Sequence, residues 1–447
     1  MKRLLITIFK YCGLFLLLIA IFNIAFYLVC LIDSDLMYGN VEKSSKILRK
    51  EGYYYQVSKV FDVKNDTYVD AETVNASYSM DNKTPYLSYM KIRRNYIRDF
   101  THVEIPEGHG EGITVNYVYE TNEEMFFNDA IGELEDFLAG KIHYSTNYGR
   151  YWHGYLVLLR PLLVFYDVLE IRTIAFLVYT ILFLCLMYLL NKQFGRDIAF
   201  IFGASLICSG YFSSAYSLGD ISIYLVMMVS SIILLKRIDK IKDFGIFIFA
   251  VGCITNFVDF LRVPLITLSV PCAIYILKLI NDKKDWKYCV KTLIVSSILW
   301  VIAYALTWFS KWVLYDLTIN DFNEMVKIGL GQALYRTGRI NVARGANINY
   351  MSVVFRIIGK SAIYTGISAL IVLILNKVEK ISLKFNKNAI PFFILSLYPI
   401  VWYVVLANHT IMHDFFVYRL SLLFMLGVLL GLYQMFNFKE EQNEEVY

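Results

Sequence analysis

Residues 4–35 read LLITIFKYCGLFLLLIAIFNIAFYLVCLIDSD. Over 4–32 the only charged residue is Lys10, and a helix needs about 20 predominantly apolar residues to cross the hydrocarbon of a bilayer. The run is too long for the apolar part of a secretory leader. No small-residue cleavage site follows it, so it is expected to remain as an anchor. Asp33 and Asp35 close it within three residues.

The rest of the chain repeats that pattern. Of its 447 residues, 57% are hydrophobic, 16% aromatic and only 18% charged. Soluble domains carry about 25% charged residues, so a soluble enzyme is excluded. Nine further apolar runs cover 174–190, 198–216, 221–235, 244–260, 264–277, 293–309, 362–375, 391–406 and 420–436. The expected fold is a membrane α-helical, polytopic bundle of about ten spans. The seven cysteines lie in or beside these runs without a CxxC pair, and read as small buried hydrophobes.

Lysine and arginine give an orientation. The connections around Lys192 and at 236–242, 278–291 and 377–387 carry 15 basic residues. By the positive-inside rule they face the cytoplasm, as do both termini and the tail 438–447. The polar insert 33–150 carries net charge −7 and the remainder +12, which puts the insert outside the cell membrane. Residues 112–120 alternate as a strand does, 123–138 have helical spacing, and 43–51 read as helix. The insert is therefore expected to be a small α+β extracytoplasmic lobe.

Five groups of residues on that side could carry chemistry. Asp33 and Asp35 sit at a membrane boundary, where restricted water raises a carboxylate's pKa toward that of a general base; ordinary helix-end polarity is the plainer reading. Tyr148-Gly-Arg-Tyr-Trp-His-Gly-Tyr155, with Arg160, Asp167, Glu170 and Arg172 after it, reads as an interface helix region over 151–173, Trp152 lying at headgroup depth. Asp220 falls in a turn close to hydrocarbon, where a carboxylate is costly unless solvated or paired. The loop 310–361 contains Arg336, Arg339 and Arg344, and guanidinium groups match phosphate oxygens; nonspecific headgroup contact explains them equally. His409 and His413, spaced i, i+4 ahead of Arg419, would share a helix face, more in keeping with hydrogen bonding than with a two-ligand metal site. No Walker motif, GxSxG or Cys/His zinc pattern occurs, and no basic-aromatic surface suggests nucleic acid.

Taken in order, these pieces resemble the GT-C superfamily of membrane glycosyltransferases that use polyprenyl-phosphate sugars. The resemblance rests on Asp33-Ser-Asp35 after the first helix, Trp152-His-Gly154 with Arg172, Lys192-Gln-Phe-Gly-Arg-Asp-Ile-Ala199 and Tyr216-Ser-Leu-Gly-Asp220, and covers residues 1–240. The chain departs from the family's His-Pro-Pro at His153-Gly154 and from its Asp-Glu pair at Asp33-Ser-Asp35. The resemblance implies sugar transfer from a polyprenyl-phosphate (or pyrophosphate) carrier to a cell-envelope glycan, lipid or protein acceptor. It makes Asp33 the base with Asp35 as alternate, and has Asp220 orient the acceptor or a divalent cation (Mg or Mn). Arg336, Arg339, Arg344 and His153 would hold the donor phosphate, with Trp152, Arg160, His409, His413 and Arg419 in support. A lipid-linked oligosaccharide flippase, a polysaccharide polymerase and a non-catalytic receptor or scaffold are the competing readings. Few ionisable residues fall mid-span and no internal repeat is visible, which counts against a transporter.

Overall fold

The computed structural model describes residues 2–54, 56–58, 63–96, 130–141, 144–241, 243–320, 323–338, 350–375, 382–383 and 385–437. The strand expected over 112–120, the first part of the helix expected over 123–138, the tail 438–447, Arg339 and Arg344 lie outside these residues. Helices dominate. The chain opens with α1 (Lys2–Cys30), and a 3-10 turn at Ser34–Met37 leads into α2 (Tyr38–Glu51), which begins earlier than the 43–51 expected. The lobe continues with β1 (Gln56–Ser58), β2 (Val63–Lys64), α3 (Thr67–Tyr78), α4 (Pro85–Lys91), β3 (Arg93–Tyr96), α5 (Ala130–Leu138) and β4 (Tyr144–Asn147). β1 pairs with β2 and β3 with β4, both antiparallel.

The bundle follows as α6 (Leu156–Phe165), α7 (Val168–Phe194), α8 (Arg196–Cys208), α9 (Tyr211–Ser214), α10 (Leu218–Arg237), α11 (Phe244–Val258) and α12 (Leu265–Asn281). After it come α13 (Trp286–Ile319), α14 (Glu324–Thr337), α15 (Tyr350–Leu375), α16 (Ile390–Ser396), α17 (Tyr398–Val405), α18 (Ala407–Met412), α19 (Asp414–Val417) and α20 (Ser421–Met435). Among the described residues seven segments are long and apolar enough to cross a membrane: Leu5–Cys30, Val168–Phe194, Leu218–Arg237, Trp286–Ile319, Tyr350–Ile371, Lys387–Val405 and Asp414–Met435. This is a multi-pass membrane helical protein. Leucine, isoleucine and phenylalanine stay exposed along α1, α7, α13 and α15, as they do on helices whose solvent is lipid.

Several boundaries differ from the sequence reading, each for a local reason. The interface region 151–173 is divided: α6 ends at Phe165, and α7 starts at Val168 rather than at 174. A capping box starts it. Asp167 accepts from the N–H of Leu169 and Glu170, and Glu170 accepts from the N–H of Asp167 at 2.9 Å. The run 198–216 is broken after α8, where Gly210 adopts φ +86°. Within the expected loop 310–361, α13 continues to Ile319, α14 occupies Glu324–Thr337, and α15 begins at Tyr350.

Arg160 of α6 fastens the lobe to the first span. Its guanidinium donates to the carbonyls of Val29 (2.9 Å) and Ile32 (2.5 Å) at the end of α1, and to Ser77 and Met80 (2.9 Å) at the end of α3. Helix ends leave carbonyls without intrahelical donors, and a planar five-donor fork can serve two such ends together. Lys311 of α13 does the same at the end of α4, donating to the carbonyls of Tyr89 (3.0 Å) and Met90 (3.1 Å). A Cβ at Gly154 would lie 2.5 Å from the ring and carbonyl oxygen of Phe257, so only glycine lets the strand into α6 approach α11 that closely. Replacing Arg160 by leucine is expected to strand several buried carbonyls at roughly 1–3 kcal/mol each. Thermal unfolding in detergent should show a large drop in Tm, and Arg160→Lys, with three donors, should recover only part of it.

Candidate functional site

At the lobe end of the bundle, stretches distant in sequence bring their charges together. Asp66, which caps α3 by accepting from Val69 N–H, also pairs with Arg262 at 2.7 Å. Arg262 donates through Nε to Asp220 at 2.5 Å, and the other oxygen of Asp220 takes Arg419. Arg262, Asp220 and Arg419 are all fully buried. Beside them Asp70 pairs with Arg172 at 2.7 Å and accepts the N–H of Leu218, while Arg172 also binds Glu51 at 2.6 Å. Buried charges persist only when paired and hydrogen-bonded, and each of these carboxylates is.

Arg262 stands in Asp259-Phe-Leu-Arg262, the turn between α11 and α12. Asp259 folds that turn by accepting from the N–H of Leu261 and Arg262, both at 3.0 Å, and takes the Tyr304 hydroxyl at 3.2 Å. Phe416 of α19 lies 4.1 Å from the Arg262 guanidinium carbon. The same ring packs against His409 and His413, whose own rings are 4.7 Å apart.

Arg336 reaches this cluster from α14. Asp316 caps that helix by accepting from Met325 N–H, and Gly329 lies directly on the Trp312 ring. Asn408 takes the other end, donating to the carbonyl of Tyr335 at 2.7 Å. So held, Arg336 donates to the Tyr151 hydroxyl and to Nδ1 of His409 at 3.0 Å. Arginine only donates, so Nδ1 of His409 carries no proton and its proton is on Nε2. Among the described residues, the Nε of Arg336 and the Nη2 of Arg262 are buried without an acceptor, while the other ring nitrogen of His409 faces the Leu261 backbone. Both unspent donors are on full cations, Arg262 lying over the Phe416 ring and Arg336 reaching the same histidine that packs on it.

The other expected site residues have defined places. Asp33 and Asp35 are exposed; the Asp33 carboxylate caps the 3-10 turn, accepting Asp35 N–H at 3.0 Å. Within the described residues no contact joins either to Asp220 or Arg336. Asp220 is not a solvated turn residue but the first turn of α10, with both oxygens spent on arginine. Trp152 is buried inside the protein and donates to the Thr307 carbonyl at 2.7 Å. His153 sits in the left-handed region at φ +56°, with Nδ1 2.9 Å from the Tyr155 hydroxyl and Nε2 3.0 Å from the Tyr148 carbonyl. Since a carbonyl only accepts, Nε2 bears the proton and both ring nitrogens are occupied. Arg336 and His409 thus meet Asp220 through the Phe416 ring and Arg262, His153 packs edge-on against the Tyr151 ring that Arg336 also reaches, and Asp33 stands apart from these contacts.

A small hollow beneath the lobe is lined by Glu72, Glu133, Arg93, Tyr148, Tyr155 and Phe260 among others. Among the described residues, no group of three or more His, Cys, Asp or Glu side chains could hold a metal. Sequence reading missed Asp259 and Arg262 because the apolar runs on either side nearly touch. The available signal was an acid and a base in a six-residue turn ending in proline. Comparison with family models, with curated proteins and with solved structures gives no match for this chain.

Burial takes the His153 pKa down to about 3, and burial with the neighbouring cations holds His409 well below the usual imidazole value. The unfolded chain takes up protons below about pH 6.5 that the fold refuses, so stability falls as pH drops. At pH 5 the His153 contribution is about 2 kcal/mol. A His153→Asn chain should start less stable yet show a shallower fall of Tm between pH 7 and 5. Asp220→Asn should cost roughly 3–5 kcal/mol, because Arg262 and Arg419 remain buried beside a neutral amide. Thermal melts of the purified protein read this directly.

Proposed function

We propose that the chain is a membrane glycosyltransferase of the GT-C kind. In this reading it moves a sugar from a polyprenyl-phosphate or polyprenyl-pyrophosphate carrier to a glycan, lipid or protein acceptor. The helices form ten spans, the seven long segments together with α8, α11 and α12. Both termini face the cytoplasm, and residues 33–150 form an α+β lobe outside the cell membrane.

The observation that supports this is the pair of unspent buried guanidinium donors on Arg262 and Arg336. A buried guanidinium nitrogen without an acceptor is costly, and a phosphate offers several acceptor oxygens to such groups at once. Placed there, the donor's phosphate becomes a better leaving group, because charge growing on its oxygen as the glycosidic bond breaks meets fixed cations. The acceptor oxygen attacks the anomeric carbon and gives its proton to a carboxylate. The family resemblance gives that role to Asp33, with Asp35 the alternate; both are exposed at the end of α1, and among the described residues neither contacts Arg336, so the base is assigned by the Asp33→Asn measurement and not by a contact. Asp220 keeps Arg262 and Arg419 in place rather than meeting the sugar.

Purified protein incubated with a labelled polyprenyl-phosphate sugar and a mixture of envelope acceptors should release the free lipid phosphate. Arg336→Gln is expected to lower turnover by about 100-fold, the loss typical of removing one donor from a developing oxyanion. Asp33→Asn should abolish transfer while the protein still inserts and melts normally. Movement of the labelled lipid across a bilayer without turnover would identify a transporter and refute this assignment.

A further inference from the structure

The end of the bundle away from the lobe carries an unbalanced patch. Lys278 near the end of α12 binds Asp239 at 3.0 Å and Asp282 at 2.7 Å, so those two acids are spent on it. Asp285 is used as the cap of α13, accepting from Tyr288 N–H at 2.7 Å, and Asp243 caps α11. Lys283, Lys284, Lys287 and Lys291 remain exposed, and no carboxylate among the described residues pairs with them.

Lys287 and Lys291 are four residues apart on α13 and so share a face. With Trp286, Val290, Ile294 and Val295 they line a shallow hollow on the side of that helix. Its upper rim is cationic and its floor apolar. The floor runs on without interruption into exposed Ile298, Val301 and Ile302, a strip long enough for an acyl chain. Trp286, with the Lys287 ammonium 5.9 Å from its ring, stands at the border between the charged and apolar parts, where tryptophan settles in membranes.

We propose that this hollow is a binding site for one anionic phospholipid of the leaflet opposite the lobe. The phosphodiester lies between Lys287 and Lys291, and an acyl chain follows Ile294, Val295 and Ile298. A free phosphate would use only the rim, and a zwitterionic lipid would bring its own cation against the lysines. Anionic lipid alone satisfies both halves, each lysine near such a surface contributing about fivefold in affinity. The site is independent of the chemistry at the lobe end.

The test uses the full-length protein in nanodiscs of equal parts phosphatidylglycerol and phosphatidylcholine, released into native mass spectrometry. Retained phosphatidylglycerol should exceed retained phosphatidylcholine by about tenfold or more, and Lys287→Gln/Lys291→Gln should remove most of that preference. Both positions are exposed, so folding should be unaffected, and an unchanged Tm in neutral detergent verifies it. Adding phosphatidylglycerol should raise the Tm of the parent protein and not of the double variant, and inorganic phosphate should raise neither. Equal retention of the two lipids, an undiminished preference in the double variant, or an equal response to inorganic phosphate would each overturn the proposal.

Discussion

Asp220 is the carboxylate on which four separate stretches of chain close. It lies in the first turn of α10, takes Arg262 from the α11–α12 turn and Arg419 from the start of the last long apolar segment, and through Arg262 is joined to Asp66 of the lobe. Desolvating such charges is expensive, and the interior tolerates them only because each finds its partner in hydrogen-bonding geometry. The arrangement therefore exists in one assembly only: α3, α10, the α11–α12 turn and α20 must all be in place. Arg172 with Asp70 and Glu51 repeats the device one turn away, tying α7 to α2 and α3.

That clasp also sets the candidate site. Arg262 spends two of its nitrogens on Asp220 and Asp66, which fixes the third beside Phe416. Arg336 is held just as firmly, with α14 seated on Trp312, capped by Asp316 and tied at its other end by Asn408. Donors kept in place by their neighbours lose little entropy when an anion arrives, which is how preorganised sites gain their strength. The acids of the clasp hold the cations in place, so the carboxylates at this end serve as framework.

Much was legible along the chain. The start of α7 was written in the sequence but missed: Asp167 with Glu170 three residues on is a capping box, yet the expectation over 151–173 is one interface region with the span starting at Ile174. Arg336, His409 and Arg419 stood out as charges beside apolar runs, and they do gather at one end. The partners of Asp220 were not legible, because Arg262 is 42 residues away and Arg419 is 199. His153 misled for a similar reason: a histidine in an aromatic segment looks available until the fold supplies Tyr148 and Tyr155 to both its nitrogens.

Composition and run length by themselves determined a multi-pass helical membrane protein, because water and hydrocarbon sort side chains by chemistry wherever the chain goes. Only the tertiary structure decided which charges are mutual partners and which nitrogens remain unspent. Pairing depends on distances of a few ångströms between residues far apart in sequence, and those distances exist only once the helices are packed.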